Sequence, residues 1–328
     1  MAHSAPKRRL RIVTIGGGTG SFTVLSGLKQ HAVDLTVIVA MSDDGGSTGR
    51  LRDEFGVLPP GDVRQALVAL SEDDTLMRQL FNHRYASGSL KGHSFGNIFL
   101  STLEHITGDM NAALKEAGEI LKIRGRVVPV TLSKVRLVVE LKNGKRLRGE
   151  GQVDEYLLLS RFGVKSMRLA PEAVANPAAL AAIRNADLIV VGPGDLYTSL
   201  MPDFLVRGIG KACMRSKARK VYVANLMNRL GHTDGFSVGD YVHTLEAAMG
   251  GRFDYILFNT ATPPRILLKR YADEGEPVHL GAHDARVVGC DLLAEGVATH
   301  TRGDALRRTL IRHDPAKLAR ALLKLMRE

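Results

Sequence analysis

The sequence predicts an α/β fold in which a mostly parallel sheet lies between two layers of helices. Three observations predict it. Apolar runs such as Leu35-Thr-Val-Ile-Val-Ala-Met41 and Asp187-Leu-Ile-Val-Val191 lack the in-and-out alternation of a half-exposed strand, so they need cover on both faces. Stretches of helical periodicity separate these runs along most of the chain. The first run, "RIVTI", passes through a cluster of glycines directly into a helical pattern, which is a strand-turn-helix unit.

Taken in order, "RIVTI" leads into a helix with Val24, Leu25 and Leu28 on one face, and the strand Leu35–Met41 completes a βαβ unit. Helical patterns follow at Val63–Leu70, Asn97–Ile106 and Asn111–Leu121. The alternation breaks at about 126 to 155, where "VRLVVELKNGKRLRGEG" reads as antiparallel strands and Asn143-Gly144 supplies the positive φ values of a tight hairpin turn. Strands at Asp187–Val191, Lys220–Ala224 and Phe253–Phe258 then alternate with helices at Val238–Met249 and Pro264–Ala272. The last helix opens with Asp314 as N-cap and Pro315 at its first position, and repeats Leu318, Leu322 and Leu325. Residues 1–9 are expected to form a disordered basic tail, and 10–328 one α/β domain with the β excursion at 126–155.

Composition narrows the function classes. Forty-five Lys and Arg against 34 Asp and Glu leave a net charge of +11, which raises nucleic-acid binding as a possibility. The charge clusters at 122–148, at 207–220 and in the stretch from 302 to 327, but aromatics are only 5% and Trp is absent, so a base-stacking platform is poorly supplied. Basic faces that attract small anionic ligands are the simpler reading. Cys213 and Cys290 have no metal or redox spacing and read as small core hydrophobes in a reducing, cytoplasmic setting. No apolar run approaches the length of a membrane span.

The chemistry-bearing residues gather at strand ends. Gly16, Gly17, Gly18, Thr19 and Gly20 lie between the first strand and helix, where backbone N–H groups and the helix dipole favour a phosphate or diphosphate. Ser21 stands where a dinucleotide fingerprint requires Gly or Ala, which weakens a dehydrogenase reading. The second strand ends in Ser42-Asp43-Asp44-Gly45-Gly46-Ser47-Thr48-Gly49-Arg50. Its carboxylates suit a divalent cation, a ribose hydroxyl or a turn cap, and Ser47, Thr48 and Arg50 add donors. Asp62 reads equally as an N-cap of the next helix and as a crevice residue. Lys91, His93, Ser94 and Asn97 form a loop suited to anions or hydroxyls, and later strands end near Gly194 and Asp195, at Asn225 and at Asn259.

Five segments, "IGGGTGSFTVLSGLK", "MSDDGGSTGRLRDEFGVLPPGDVRQALVAL", "LKGHSFGN", "DLIVVGPGDLYTSLMP" and "RHDPAKLARAL", together resemble the YvcK family of gluconeogenesis factors, relatives of the CofD-type 2-phospho-L-lactate transferases. The resemblance runs from about residue 10 to the C-terminus. It implies a Rossmann-like three-layer fold and a cytoplasmic regulator that binds a UDP-sugar of the UDP-N-acetylglucosamine type and is needed for cell shape and cell-wall synthesis on gluconeogenic carbon. The alternative it implies is a nucleotide-dependent transferase of the phospholactyl type, with Mg2+ accompanying the nucleotide. Cell-wall synthesis or regulatory proteins, and further copies of the chain, are the partners implied. The same pattern puts Gly16 to Gly20 on the diphosphate, Asp44 and Asp62 on the cation, and Tyr271 and Arg312 on the nucleotide-sugar. The chain departs from it at Asn228, Arg229 and His232, where Thr, Gln and Glu are expected.

Overall fold

The structure, a computed structural model, describes residues 8–72, 75–295 and 311–327. Most of the expected N-terminal tail and part of the C-terminal basic stretch lie outside the described residues.

Among the described residues ten strands form two sheets: β1 (Leu10–Ile15), β2 (Val33–Val39), β3 (Arg126–Pro129), β4 (Arg136–Leu141), β5 (Arg146–Arg148), β6 (Val164–Ala170), β7 (Leu188–Val191), β8 (Arg219–Val223), β9 (Tyr255–Asn259) and β10 (Val287–Cys290). The main sheet has the order β10-β9-β8-β7-β1-β2-β3, and every pairing in it is parallel. Leu188 to Val191 are all 0% exposed, as a strand covered on both faces requires. The predicted α/β Rossmann-like architecture is therefore the observed one. Strand order runs outward in both directions from β1 and β7, so the carboxyl ends of these two strands flank a topological switch point, where such sheets place their ligand crevice.

Helix Gly18–Leu28 packs between helices Pro60–Leu70 and Pro315–Lys324. The crossing is close enough that a Cβ on Gly27 would sit 2.0 Å from the Pro315 carbonyl oxygen. Asp314 caps the last helix as expected, accepting the Lys317 N–H at 2.7 Å, with Pro315 in its first turn. Cys213 is fully buried, whereas Cys290 lies half-buried on edge strand β10.

The β excursion departs from its expected limits. Arg126–Pro129 belongs to the main sheet as its edge strand beside β2. The antiparallel sheet has the order β5-β4-β6, so its third strand comes from residues 164–170. Its hairpin turn also differs: Gly144 has φ +85 and its N–H donates to the Leu141 carbonyl, while Asn143 keeps a negative φ and its side chain accepts the Lys145 N–H. One left-handed glycine suffices because the loop is longer than two residues. No helix among the described residues is long and apolar enough to cross a membrane.

Candidate functional site: the crevice at the carboxyl ends of β1, β2, β7 and β8

The glycine turn holds a carboxyl group supplied by the chain itself. Gly16 and Gly18 have φ of +136 and +68, and Gly17 is the N-cap of helix Gly18–Leu28 with no side-chain cap of its own. The Gly18 N–H donates to Asp62 Oδ1 at 3.2 Å. The carboxylate approaches so closely that a Cβ on Gly17 would lie 1.8 Å from Asp62 Oδ2. Asp62 is thus not the N-cap of its own helix, which begins earlier at Pro60 with Pro59 as cap; it reaches across to a neighbouring helix. Burial, followed by the charge of Asp43, pushes its carboxyl up to about 7.

Asp43 and Asp44 diverge. Asp43 Oδ1 accepts the Gly45 N–H at 2.9 Å, and its carboxyl, raised by burial against hydrogen bonds from Gly45 and Thr48, faces Asp62. Asp44 turns toward the small sheet, where Oδ2 pairs with Arg136 at 3.2 Å and Oδ1 accepts the Gly151 N–H at 3.0 Å. The expected Asp44–Asp62 cation pair is therefore not assembled. Among the described residues no group of three or more His, Cys, Asp or Glu side chains is arranged to hold a metal ion, so these residues do not fit Mg2+ as the resemblance implies.

Behind the acids lies a buried polar network. Ser47 Oγ meets His93 Nδ1 at 3.1 Å, and Asn97 Nδ2 donates to Ser47 Oγ at 3.3 Å and to Thr48 Oγ1 at 3.4 Å. Arg64, missed in the sequence, closes it by donating to Asn97 Oδ1 at 2.9 Å and to Asn82 Oδ1 at 2.7 Å. Burial and then Arg50 lower the His93 pKa, which favours a neutral ring. Arg50 itself is exposed and donates to the Lys91 carbonyl at 3.1 Å.

A cavity of about 480 Å3 opens beside the glycine turn. Its lining includes Thr19, Gly20, Gly194, Asp195, Asn225, Tyr271 and Arg312, which the structure brings together, but not Gly16, Gly17 or Gly18. Gly194 and Asn225 clamp each other: Gly194 N–H donates to Asn225 Oδ1 at 3.3 Å, and Asn225 Nδ2 donates to the Gly194 carbonyl at 2.9 Å. Burial pushes Asp195 up, but the charge and hydrogen bond of Arg229 outweigh it, leaving the carboxyl below its ordinary range. Burial raises the Tyr271 hydroxyl to about 12. A larger hollow of about 1340 Å3 lies at the opposite end of the strands, by the starts of β1, β2 and β3 at Arg11, Asp34 and Arg126.

Three more residues escaped the sequence reading. Glu150 and Asp154 sit on a short helix after the β excursion, and burial with the nearby acids raises Glu150 well above its ordinary value. Arg229, seen in the sequence only as a departure, lines the cavity and bridges Asp154 at 2.7 Å and Asp195 at 2.8 Å. Of the other departures, Asn228 is buried and fixed by Tyr241 Oη at 2.9 Å and the Phe236 carbonyl at 2.9 Å, and His232 is 0% exposed.

Comparison with known proteins agrees with this fold. Residues 12–298 match the family described as 2-phospho-L-lactate transferase CofD. A protein of Nostoc sp. named "Putative gluconeogenesis factor" is 42% identical over 99% of this chain and 70% of its own length. The "Gluconeogenesis factor" of Bacillus subtilis is 38% identical over 97% of this chain and 98% of its own. A crystal structure of a UPF0052 family member from Bacillus halodurans superposes with a TM-score of 0.87 at 37% identity, covering 96% of this chain and 99% of that one. The chain belongs to the CofD family, within its gluconeogenesis-factor branch, YvcK or UPF0052.

Proposed function

We propose that this protein is a cytoplasmic regulatory protein that binds a UDP-sugar of the UDP-N-acetylglucosamine type in the crevice and serves cell shape and cell-wall synthesis during growth on gluconeogenic carbon. The observation that carries the binding part is the cavity of about 480 Å3. Its size falls in the range of small-ligand sites. It joins the start of a glycine-led helix to the Gly194–Asn225 clamp, and Tyr271 and Arg312 share its lining. A helix start suits phosphate, and an aromatic ring with a guanidinium suits a base or sugar. The physiological part rests on kinship with the gluconeogenesis factors.

The test is thermal unfolding of the full chain with UDP-N-acetylglucosamine, GDP, NAD and duplex DNA in separate arms. At a ligand concentration near 100 times the dissociation constant, the UDP-sugar stabilises by about 2.7 kcal/mol. NAD leaves the melt unchanged, because Ser21 interrupts the dinucleotide pattern. Stabilisation by NAD or DNA without any by the UDP-sugar overturns the reading.

A further inference from the structure

The loop after β8 puts a cation into the cavity wall between two carboxylates. Arg229 Nη1 donates to Asp154 Oδ1 at 2.7 Å and to Asp195 Oδ2 at 2.8 Å, and Nη2 donates to the Asp154 carbonyl at 2.9 Å. The two acids are held differently. Asp195, 20% exposed at its side chain, also accepts the N–H groups of Tyr197 and Thr198, which fixes it at the end of β7. Asp154, 40% exposed, sits on the short helix Glu150–Glu155. Arg229, 39% exposed, shares the cavity lining with Thr19, Gly20 and Tyr271.

We propose that Arg229 is the diphosphate-binding cation of this crevice, kept in place by Asp154 and Asp195 until phosphate oxygens replace Asp154 on the guanidinium. The inference rests on the nucleotide-binding reading and deepens it. A guanidinium offers a planar fork of donors that matches phosphate as well as carboxylate. Exchanging an exposed carboxylate for phosphate keeps the cation paired, so it is never left bare in a half-buried place. Asp195 stays bound and holds the fork in register. Two carboxylates and one guanidinium give this bridge one net negative charge, and an arriving diphosphate must displace the Asp154 carboxylate to reach the fork. The role of Asp154 is therefore competitive.

Isothermal titration tests this with UDP-N-acetylglucosamine and, separately, inorganic pyrophosphate, on the wild type, Arg229→Gln, Asp154→Asn and the double variant. Arg229→Gln weakens both probes by roughly tenfold to a hundredfold, as expected for losing a hydrogen-bonded charge. Arg229→Lys, which keeps the charge and loses the fork, falls between. Asp154→Asn tightens both probes by about threefold to tenfold, whereas on the Arg229→Gln background it changes them by no more than about twofold. A merely structural bridge gives the opposite sign, since breaking it would weaken binding. Unchanged affinity in Arg229→Gln, weaker binding in Asp154→Asn, or equal tightening on both backgrounds overturns the proposal. Should Arg229→Gln fail to fold, Arg229→Lys and Asp154→Asn still decide by sign. If pyrophosphate binds and the UDP-sugar does not, the uridine reading falls alone; if neither binds the wild type, both fall.

Discussion

Replacing Asp62 with Asn should stabilise the protein at alkaline pH. The side chain accepts the Gly18 N–H, and an Asn Oδ1 accepts the same bond. What it loses is a charge that burial and Asp43 disfavour, lifting the carboxyl from 3.8 to about 7. A folded pKa raised above the unfolded one means stability that is complete below the unfolded pKa and lost as pH rises through the folded one. The loss therefore falls between 3.8 and about 7. At 1.36 kcal/mol per pH step, the full span corresponds to about 4 kcal/mol, and sharing with Asp43 and residual solvent access reduce it to about 2. With an unfolding entropy near 2.1 cal/mol/K per residue over 328 residues, about 2 kcal/mol makes Asp62→Asn melt about 3 °C above the wild type at pH 8. Near pH 5 the difference should shrink to less than about half, because the folded wild type is then protonated. The assay is calorimetry of both proteins across this pH range without ligand. A variant that melts at or below the wild type at pH 8, or a difference independent of pH, refutes the reasoning.

Two further outcomes follow from the same geometry. Asp44→Asn should destabilise by about 1 to 3 kcal/mol in denaturant titration, because it leaves Arg136 with a weakened partner beside a nearly buried site, and it should leave any magnesium dependence of nucleotide binding untouched; loss of that dependence would return Asp44 to a cation site. Gly20→Ala places a Cβ 2.0 Å from the Pro193 carbonyl oxygen, so the helix must shift off the loop after β7, costing about 1 to 3 kcal/mol in a melt and abolishing nucleotide stabilisation; an Ala variant as stable as the wild type would show that the approach is looser than described.

The main sheet was legible because its signal is local. Runs such as Leu188–Val191 carry their burial in their own composition, and Asp314-Pro315 announces its helix within two residues. Strand β10 was not legible, since Val287–Cys290 is a short edge strand, only half-buried and interrupted by Gly289. Strand β6, with the burial pattern of an exposed surface, becomes a strand only through pairing with β4. In the site the glycine turn was plain, but the divergence of Asp43 and Asp44 was not. Neighbours in the chain, they are told apart by Arg136, 92 residues away, and by the Gly151 N–H. Arg64 and Arg229 were hidden for the same reason: each looks like an ordinary surface charge until the fold supplies Asn97 for one and two carboxylates for the other.

The sorting of carboxyl groups around the crevice bears on where an anion can sit. Asp195 has a guanidinium beside it and its pKa lies low; Asp43, Asp62 and Glu150 are buried among one another and lie high. Beneath them Asp203, fully buried with neither oxygen hydrogen-bonded, is pushed high by burial and by Asp62. A protein of net charge +11 thus gathers carboxyl groups, most of them pushed toward their neutral form, at the strand ends where such a fold places its ligand crevice. The most favourable anion position, the Gly18 N–H at the helix start, is already taken by Asp62. If a diphosphate enters as proposed, it finds the Gly18 N–H on the Asp43–Asp62 side already engaged and its donors on the other, along Thr19, Gly20 and Arg229, where the cavity opens. The first glycines of the turn then act indirectly, by letting the backbone fold tightly enough around Asp62 to aim the rest of the helix start at the ligand.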